Sequence, residues 1–146
     1  MKTNWLETPR GDIRARDAVL YATLSPKGYF SINRMTFQRL GEPQAVHLLY
    51  DDINNRIGLK PCASVSRNAY PLVRRSSAGR RTISGYRVLV EHGIRLPATV
   101  RFYDAEIDED GILILDLRTA RVPPNVLRHQ TTKEKVKIVG KDDLQV

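Results

Sequence analysis

The sequence has a single cysteine, Cys62, so no intrachain disulfide can brace it, and a reducing compartment suits it. It has no run of 18 apolar residues, and the opening stretch MKTNWLETPRGDIRARD holds no apolar core of signal-peptide length. These absences point to a soluble, cytoplasmic protein without a membrane partner. Motifs of catalysis are also missing. There is no Gly-x-Ser-x-Gly, no Walker-type loop and no dinucleotide fingerprint, and "VGKDD" lacks the upstream glycine and the following Ser or Thr. His47, His92 and His129 show no metal-ligand spacing, and Cys62 has no ligand beside it in sequence. The acidic stretch "DAEIDEDG" lacks the spacing of a calcium loop and its closing bidentate Glu. A non-enzymatic protein with no cofactor and no metal is the expectation.

Acid is the scarcer charge. Against 16 Asp and Glu stand 24 Lys and Arg, a formal net charge of +8 over 146 residues. Such an excess favours a polyanionic partner, because clustered cations gain from releasing condensed counterions. A chain of this length buries roughly 70% of its unfolded surface, so a core without staples is feasible.

From Ala18 the pattern becomes regular. Val19, Tyr21 and Thr23 alternate with Leu20, Ala22 and Leu24 as in a strand; "SPKG" (25–28) supplies turn chemistry, and "YFSI" returns. Asn33 is an N-cap candidate for the helix-like "RMTFQRL", which Gly41 and Pro43 stop. Residues 46–50 and "RIGLKP" read as a hairpin about "DDINN". After the linker 62–68 the grammar repeats. "YPLVRR" reads as a strand, "SSAG" as a turn and "RRTI" as its return, and Ser84 is the N-cap candidate for "GYRVLVEH", closed by Gly93. "VRFYDAEI", the turn "DEDG" and "ILILDL" follow. A shift of 51 residues aligns Gly28 with Gly79, Ile32 with Ile83 and Asn33 with Ser84; in the hairpins the register slips by about four, around Leu96–Thr99.

The expected fold is therefore α+β, mainly β, with two hairpin–helix–hairpin units forming a pseudo-two-fold barrel. An N-terminal extension (1–17), in which Trp5 and Leu6 are the candidates for docking, precedes the first unit (18–61). The linker 62–68, the second unit (69–118) and a polar tail (119–146) follow, and Val136–Val139 is one short alternating run in that tail. A unit of about 40 residues cannot bury enough apolar area alone, whereas two units pairing strands can, and closure removes sheet edges. A homo-oligomer is compatible with such a fold.

The order "KG–Y–F–S–I–N … LG … VHLLYD … RIGLKP" resembles the SpoVT-AbrB family of swapped-hairpin barrels, with Leu40, Gly41, Ile57, Leu59 and Lys60 at matching places. The tandem arrangement is similar to that of MraZ proteins, and "AGRRTIS" (78–84) looks like the entry to their second unit. The resemblance covers about 100 residues and implies double-stranded DNA binding through basic residues of the entry turn and helix. Arg80 keeps the turn arginine in the second unit. In the first, Tyr29 stands in its place and Ser25 where an acid is usual, Asn33 replaces a proline, and Phe37 and Gln38 occupy helix positions that are often basic.

Read directly, the basic feature is a window of 21 residues holding Arg67, Arg74, Arg75, Arg80, Arg81 and Arg87 and no acid. Arg74/Arg75 and Arg80/Arg81 flank "SSAG", so four guanidiniums are expected near one hairpin tip. Arginine donates to phosphate bidentately and stays charged, and a β-ribbon fits a major groove. Four neutralised phosphates imply a slope of log K against log salt of roughly −3.6. Other readings stand beside this one. The hairpin is simply solvated, its charges discouraging edge-to-edge pairing, or it pairs with the acids of 104–110 within the fold or across a dimer; or the chain is a protein-interaction or assembly module of the same fold that lacks DNA binding. Tyr29, Phe30, Tyr70 and Tyr86, near the arginines in sequence, offer ring faces on which bases of a single strand can stack, but read first as core or half-buried sheet residues.

Overall fold

In the computed structural model, which describes residues 3–7 and 19–124, the regular elements are β1 (Ala22–Leu24), β2 (Tyr29–Ile32), α1 (Arg34–Arg39), β3 (Ala45–Asp51), β4 (Arg56–Cys62), β5 (Tyr70–Pro71), β6 (Val73–Arg74), β7 (Arg81–Ser84), α2 (Tyr86–Glu91), β8 (Val100–Arg101), β9 (Glu106–Ile107) and β10 (Leu113–Asp116). The strands form two antiparallel five-stranded sheets, ordered β6-β7-β2-β1-β8 and β5-β3-β4-β10-β9. They are two sheets and not the closed barrel expected from sequence. The expected strand 70–75 breaks at Leu72 and the expected strand 100–107 breaks at 102–105, and the two pieces of each join different sheets. Pro71 has no N–H to extend a ladder, while Phe102 turns its side chain fully into the core as Ala105 N–H closes a turn on its carbonyl. The core spans both halves, with Leu24, Phe30, Ile32 and Ile83 of the first sheet among Val46, Ile57, Leu59, Leu113 and Leu115 of the second. None of the helices among the described residues is long and apolar enough to cross a membrane.

The turn 25–28 and the turn 76–79 are built alike. Gly28 N–H donates to the Ser25 carbonyl (2.9 Å) and Tyr29 N–H to Ser25 Oγ (3.1 Å). In the second, Gly79 N–H donates to the Ser76 carbonyl (3.1 Å) and Arg80 N–H to Ser76 Oγ (3.3 Å). Both glycines hold left-handed φ, 85° and 88°, where a Cβ is strained. The strands that leave the two turns pair with each other: Tyr29 lies opposite Ser84, Phe30 opposite Ile83, Ser31 opposite Thr82 and Ile32 opposite Arg81. On the second sheet β4 pairs β10, Ile57 opposite Leu115 and Leu59 opposite Leu113.

Local signals explain the first helix. Asn33 caps α1 by accepting from Thr36 N–H at 2.8 Å, and its Nδ2 donates to the Val19 carbonyl. Thr36 Oγ1 in turn accepts from Tyr21 N–H at 2.8 Å. That bond takes Tyr21 out of the ladder, so β1 starts at Ala22 and not near Val19. The second helix corrects the sequence reading by one residue. Its N-cap is Gly85, without a side-chain cap bond, because Ser84 is still paired in the sheet opposite Tyr29. A side chain at 85 would collide with Leu48 and Phe30, its Cβ coming within 2.6 Å and 2.9 Å of them. Trp5 and Leu6 do not dock: both are exposed. The Val136–Val139 run and the rest of the tail from 125 lie outside the described residues.

Candidate nucleic-acid interface

The six arginines of the acid-free window separate into two places. Arg74, Arg75, Arg80 and Arg81 stand at the hairpin tip of β6 and β7, whereas Arg67 and Arg87 line a groove with His47 and Tyr70 beside β3. At the tip, Arg74 lies directly opposite Arg81, and Arg75 N–H bonds the Arg80 carbonyl across the turn (3.0 Å). Two like-charged pairs thus face each other on one two-stranded ribbon. Cross-strand pairs of like charge destabilise a sheet.

The four do not act alike. Arg74 braces the turn, its Nε donating to the Ser76 carbonyl (3.2 Å) and its Nη2 to the Ser77 carbonyl (3.3 Å). Arg81 Nη1 donates to the Gly79 carbonyl (2.7 Å), and its guanidinium lies 4.1 Å from the centre of the Phe37 ring. Arg75 and Arg80 are exposed, and no described residue accepts from their guanidiniums. By the alternation of the strands they share the outer face of the sheet with Val73 and Thr82. The tip thus presents two guanidiniums without a described partner, Arg75 and Arg80, over two that bind turn carbonyls, Arg74 and Arg81.

A further cation joins them. Arg34, the first residue of α1, runs along the turn, three of its side-chain carbons standing 3.1 Å from where a Cβ on Gly79 would sit. It lies 45 residues before Gly79 in sequence, outside the basic window. The 51-residue shift carries the signal that finds it: once the strands after the two turns pair about Ser31 and Thr82, the start of each helix must fall beside the other turn. Gly28 correspondingly abuts Tyr86, the first residue of α2, and accepts from Gly85 N–H at 2.8 Å.

Electrostatics divides the molecule by sheet. The strands β1, β2, β6, β7 and β8 contain three arginines and no carboxylate, whereas the other sheet carries Asp51, Glu106 and Asp116. The ion pairs among the described residues are Arg56–Asp51 (2.9 Å), Arg87–Glu91 (3.8 Å) and Arg118–Asp116 (3.3 Å). None joins the hairpin arginines to the acids of 104–110. On the second sheet, the Asn54 side-chain amide, Asn54 N–H and the Arg56 guanidinium hold the Asp51 carboxyl down to about 2 from an ordinary 3.8.

Across the same outer face, Thr23 lies opposite both Ser31 and Arg101, and Ser31 lies opposite Thr82. The Arg101 guanidinium is 4.7 Å from the centres of both the Tyr21 and Tyr103 rings, and its buried Nε makes no hydrogen bond. Of the aromatic residues near the arginines, Phe30 is fully buried and Tyr70 half-buried, but Tyr29 and Tyr86 are exposed, against the expectation of core. Among the described residues no three His, Cys, Asp or Glu side chains converge as a metal site. No protein-family model matches the chain, and neither a curated protein nor a solved structure matches it.

Proposed function

We propose that this chain is a non-enzymatic, DNA-binding protein of the regulator type, contacting the phosphates of double-stranded DNA through the hairpin tip 74–81. The observation that carries the reading is the pair of opposed arginine pairs, Arg74–Arg81 and Arg75–Arg80, on a sheet whose strands hold no carboxylate. Like charges set opposite each other oppose the pairing of the two strands, and a polyanion relieves that repulsion. Arg75, Arg80 and Arg34 take the phosphates, while Arg74 and Arg81 keep the loop rigid. No residue is assigned to base readout. The lone thiol of Cys62 is in keeping with a cytoplasmic site of action.

The two halves, on the same reading, are cousins of the swapped-hairpin type related by a pseudo-two-fold axis. Three observations support this. The β2–β7 pairing centres on Ser31 and Thr82, residues 51 apart; the two turns share their bonds; and each turn glycine meets the first residue of the opposite helix.

Fluorescence anisotropy of a labelled duplex of arbitrary sequence tests the function. Replacing Arg75 and Arg80 together by Ala is expected to weaken binding tenfold or more, as charge-assisted hydrogen bonds are each worth about 1.5–3 kcal/mol. Replacing Arg67 and Arg87 is expected to change it little. Equal losses from the two double variants would refute the assignment to the tip.

A further inference from the structure

The edge of the first sheet farthest from the hairpin tip carries another pair of opposed arginines. Beyond β8 the chain returns and makes one antiparallel bridge, Arg101 to Arg121. Arg101 N–H donates to the Arg121 carbonyl (2.8 Å) and Arg121 N–H to the Arg101 carbonyl (3.0 Å). Val100 and Phe102 on one strand, and Ala120 and Val122 on the other, pack into the core. By alternation Arg101 and Arg121 both stand on the outer face. Residues that exchange both backbone bonds have Cα atoms about 5.5 Å apart, so two positive charges are set side by side. The nearest carboxylates in sequence do not answer them. Asp104 forms none of the ion pairs among the described residues, and Asp116 is taken by Arg118 at 3.3 Å. Arg101 keeps its donors unused: its buried Nε has no partner, and the tyrosine rings 4.7 Å from its guanidinium fix its position without accepting a hydrogen bond in the ring plane. Arg121 donates from Nη1 to the Ala120 carbonyl (3.1 Å) and is otherwise exposed.

We propose that Arg101 and Arg121 together bind the terminal phosphate of a small phosphate monoester. Charge sets the match. A monoester carries about −1.5 to −2 near pH 7 on three acceptor oxygens, and two guanidiniums answer it with two positive charges and forked donors. Depth selects the source of the phosphate. Arg101 is half-buried beside the exposed Tyr103, so its ligand has to reach inward. A terminal phosphate can do so, whereas a diester phosphate is flanked by its own chain on both sides and leaves only two oxygens free. The site is also apart from the hairpin tip. β8 lies three strand spacings from β7, about 14 Å, so this inference does not rest on the DNA reading. Binding has a structural consequence. The Arg101–Arg121 bridge ties residue 121 to the sheet, and like charges set opposite each other weaken such a tie. A bound dianion relieves the repulsion and fastens that rung.

The test is calorimetric titration of the whole chain with methyl phosphate, set against dimethyl phosphate. Saturable binding of methyl phosphate is expected, with dimethyl phosphate weaker by about tenfold or more, since it loses a charge and an acceptor. R101M and R121M should each lose about tenfold or more in affinity. Methyl phosphate should also slow hydrogen exchange at the Arg101 and Arg121 amides. The R75A/R80A variant should bind it as the natural chain does, and R101M should leave the salt slope of duplex binding unchanged, so the two readings fail separately. Arg121 is exposed, so R121M keeps the test sound if R101M folds poorly, which circular dichroism checks. Four outcomes would overturn the proposal: no saturable binding, full affinity in R121M, equal affinity for the diester, or a duplex-binding slope that drops by about 0.9 in R101M, which would give the phosphate to DNA.

Discussion

The turns 25–28 and 76–79 have the same hydrogen bonds and the same left-handed glycine, yet they do different work. Gly28 is pressed against backbone: a Cβ there would stand 2.3 Å from the Tyr86 Cα. The atoms nearest a Cβ on Gly79 are instead those of the flexible stem of Arg34, at 3.1 Å. Around the first turn lie Pro26, Lys27, Tyr29 and Tyr86, with one cation; around the second lie five, Arg34, Arg74, Arg75, Arg80 and Arg81. The same turn geometry thus occurs twice, once pressed against backbone and once as a basic tip packed against a flexible side chain. The helices repeat the contrast. Tyr86 and Val90 are exposed on α2 where Arg34 and Gln38 stand on α1.

Substitution at the two glycines should break that equivalence. Gly28→Ala is expected to cost roughly 3 kcal/mol, since overpacking against backbone adds to the strain of positive φ. Gly79→Ala should cost about 1–2 kcal/mol, because the Arg34 side chain can give way. Gly41→Ala, at φ 90° with nothing within 4 Å, serves as the control and isolates the dihedral cost of about 1 kcal/mol. Urea denaturation of the three variants measures the order, and equal losses at 28 and 79 would mean that the joints are alike after all.

The caps sharpen the comparison on a smaller scale. Asn33→Ala should destabilise by about 1 kcal/mol through loss of its bond to Thr36 N–H. Ser84→Ala should leave stability nearly unchanged in the same denaturation, because α2 has no side-chain cap to lose.

Much of this contrast is legible in the residues. The turns, the helix stops and the Asn33 cap follow from local chemistry that acts within four residues, and the structure keeps them. The Ser84 cap fails because pairing with Tyr29, a residue 55 positions away, outcompetes a local preference. The broken strands at Leu72 and 102–105 fail for a related reason. An apolar run does not say which of two sheets it will join, and the core position of Phe102 decides it. Of the basic site, the tip was visible as a charge window, but its division into free and bracing arginines depends on turn carbonyls at Ser76, Ser77 and Gly79. Arg34 needed the pairing of the two halves.

The smallest effect concerns the carboxylate-bearing sheet. Asp51 titrates near 2 when folded and near 3.8 otherwise, so its contribution is complete above about pH 4 and is lost as pH falls through 2. Asp51→Asn should therefore lower stability at neutral pH and flatten the acid limb of an unfolding titration between pH 4 and 2. The arginine tip on the other sheet should show no counterpart in that range.

The central claim is that free guanidiniums at the second turn neutralise phosphate. Binding to duplex DNA should be followed against salt for the natural chain and for R75A/R80A. With Arg34, Arg75 and Arg80 engaged, log K should fall with log salt at a slope of about −2.7, dropping to about −0.9 in the double variant. A flat response in the natural chain, or an unchanged slope in the variant, would contradict it.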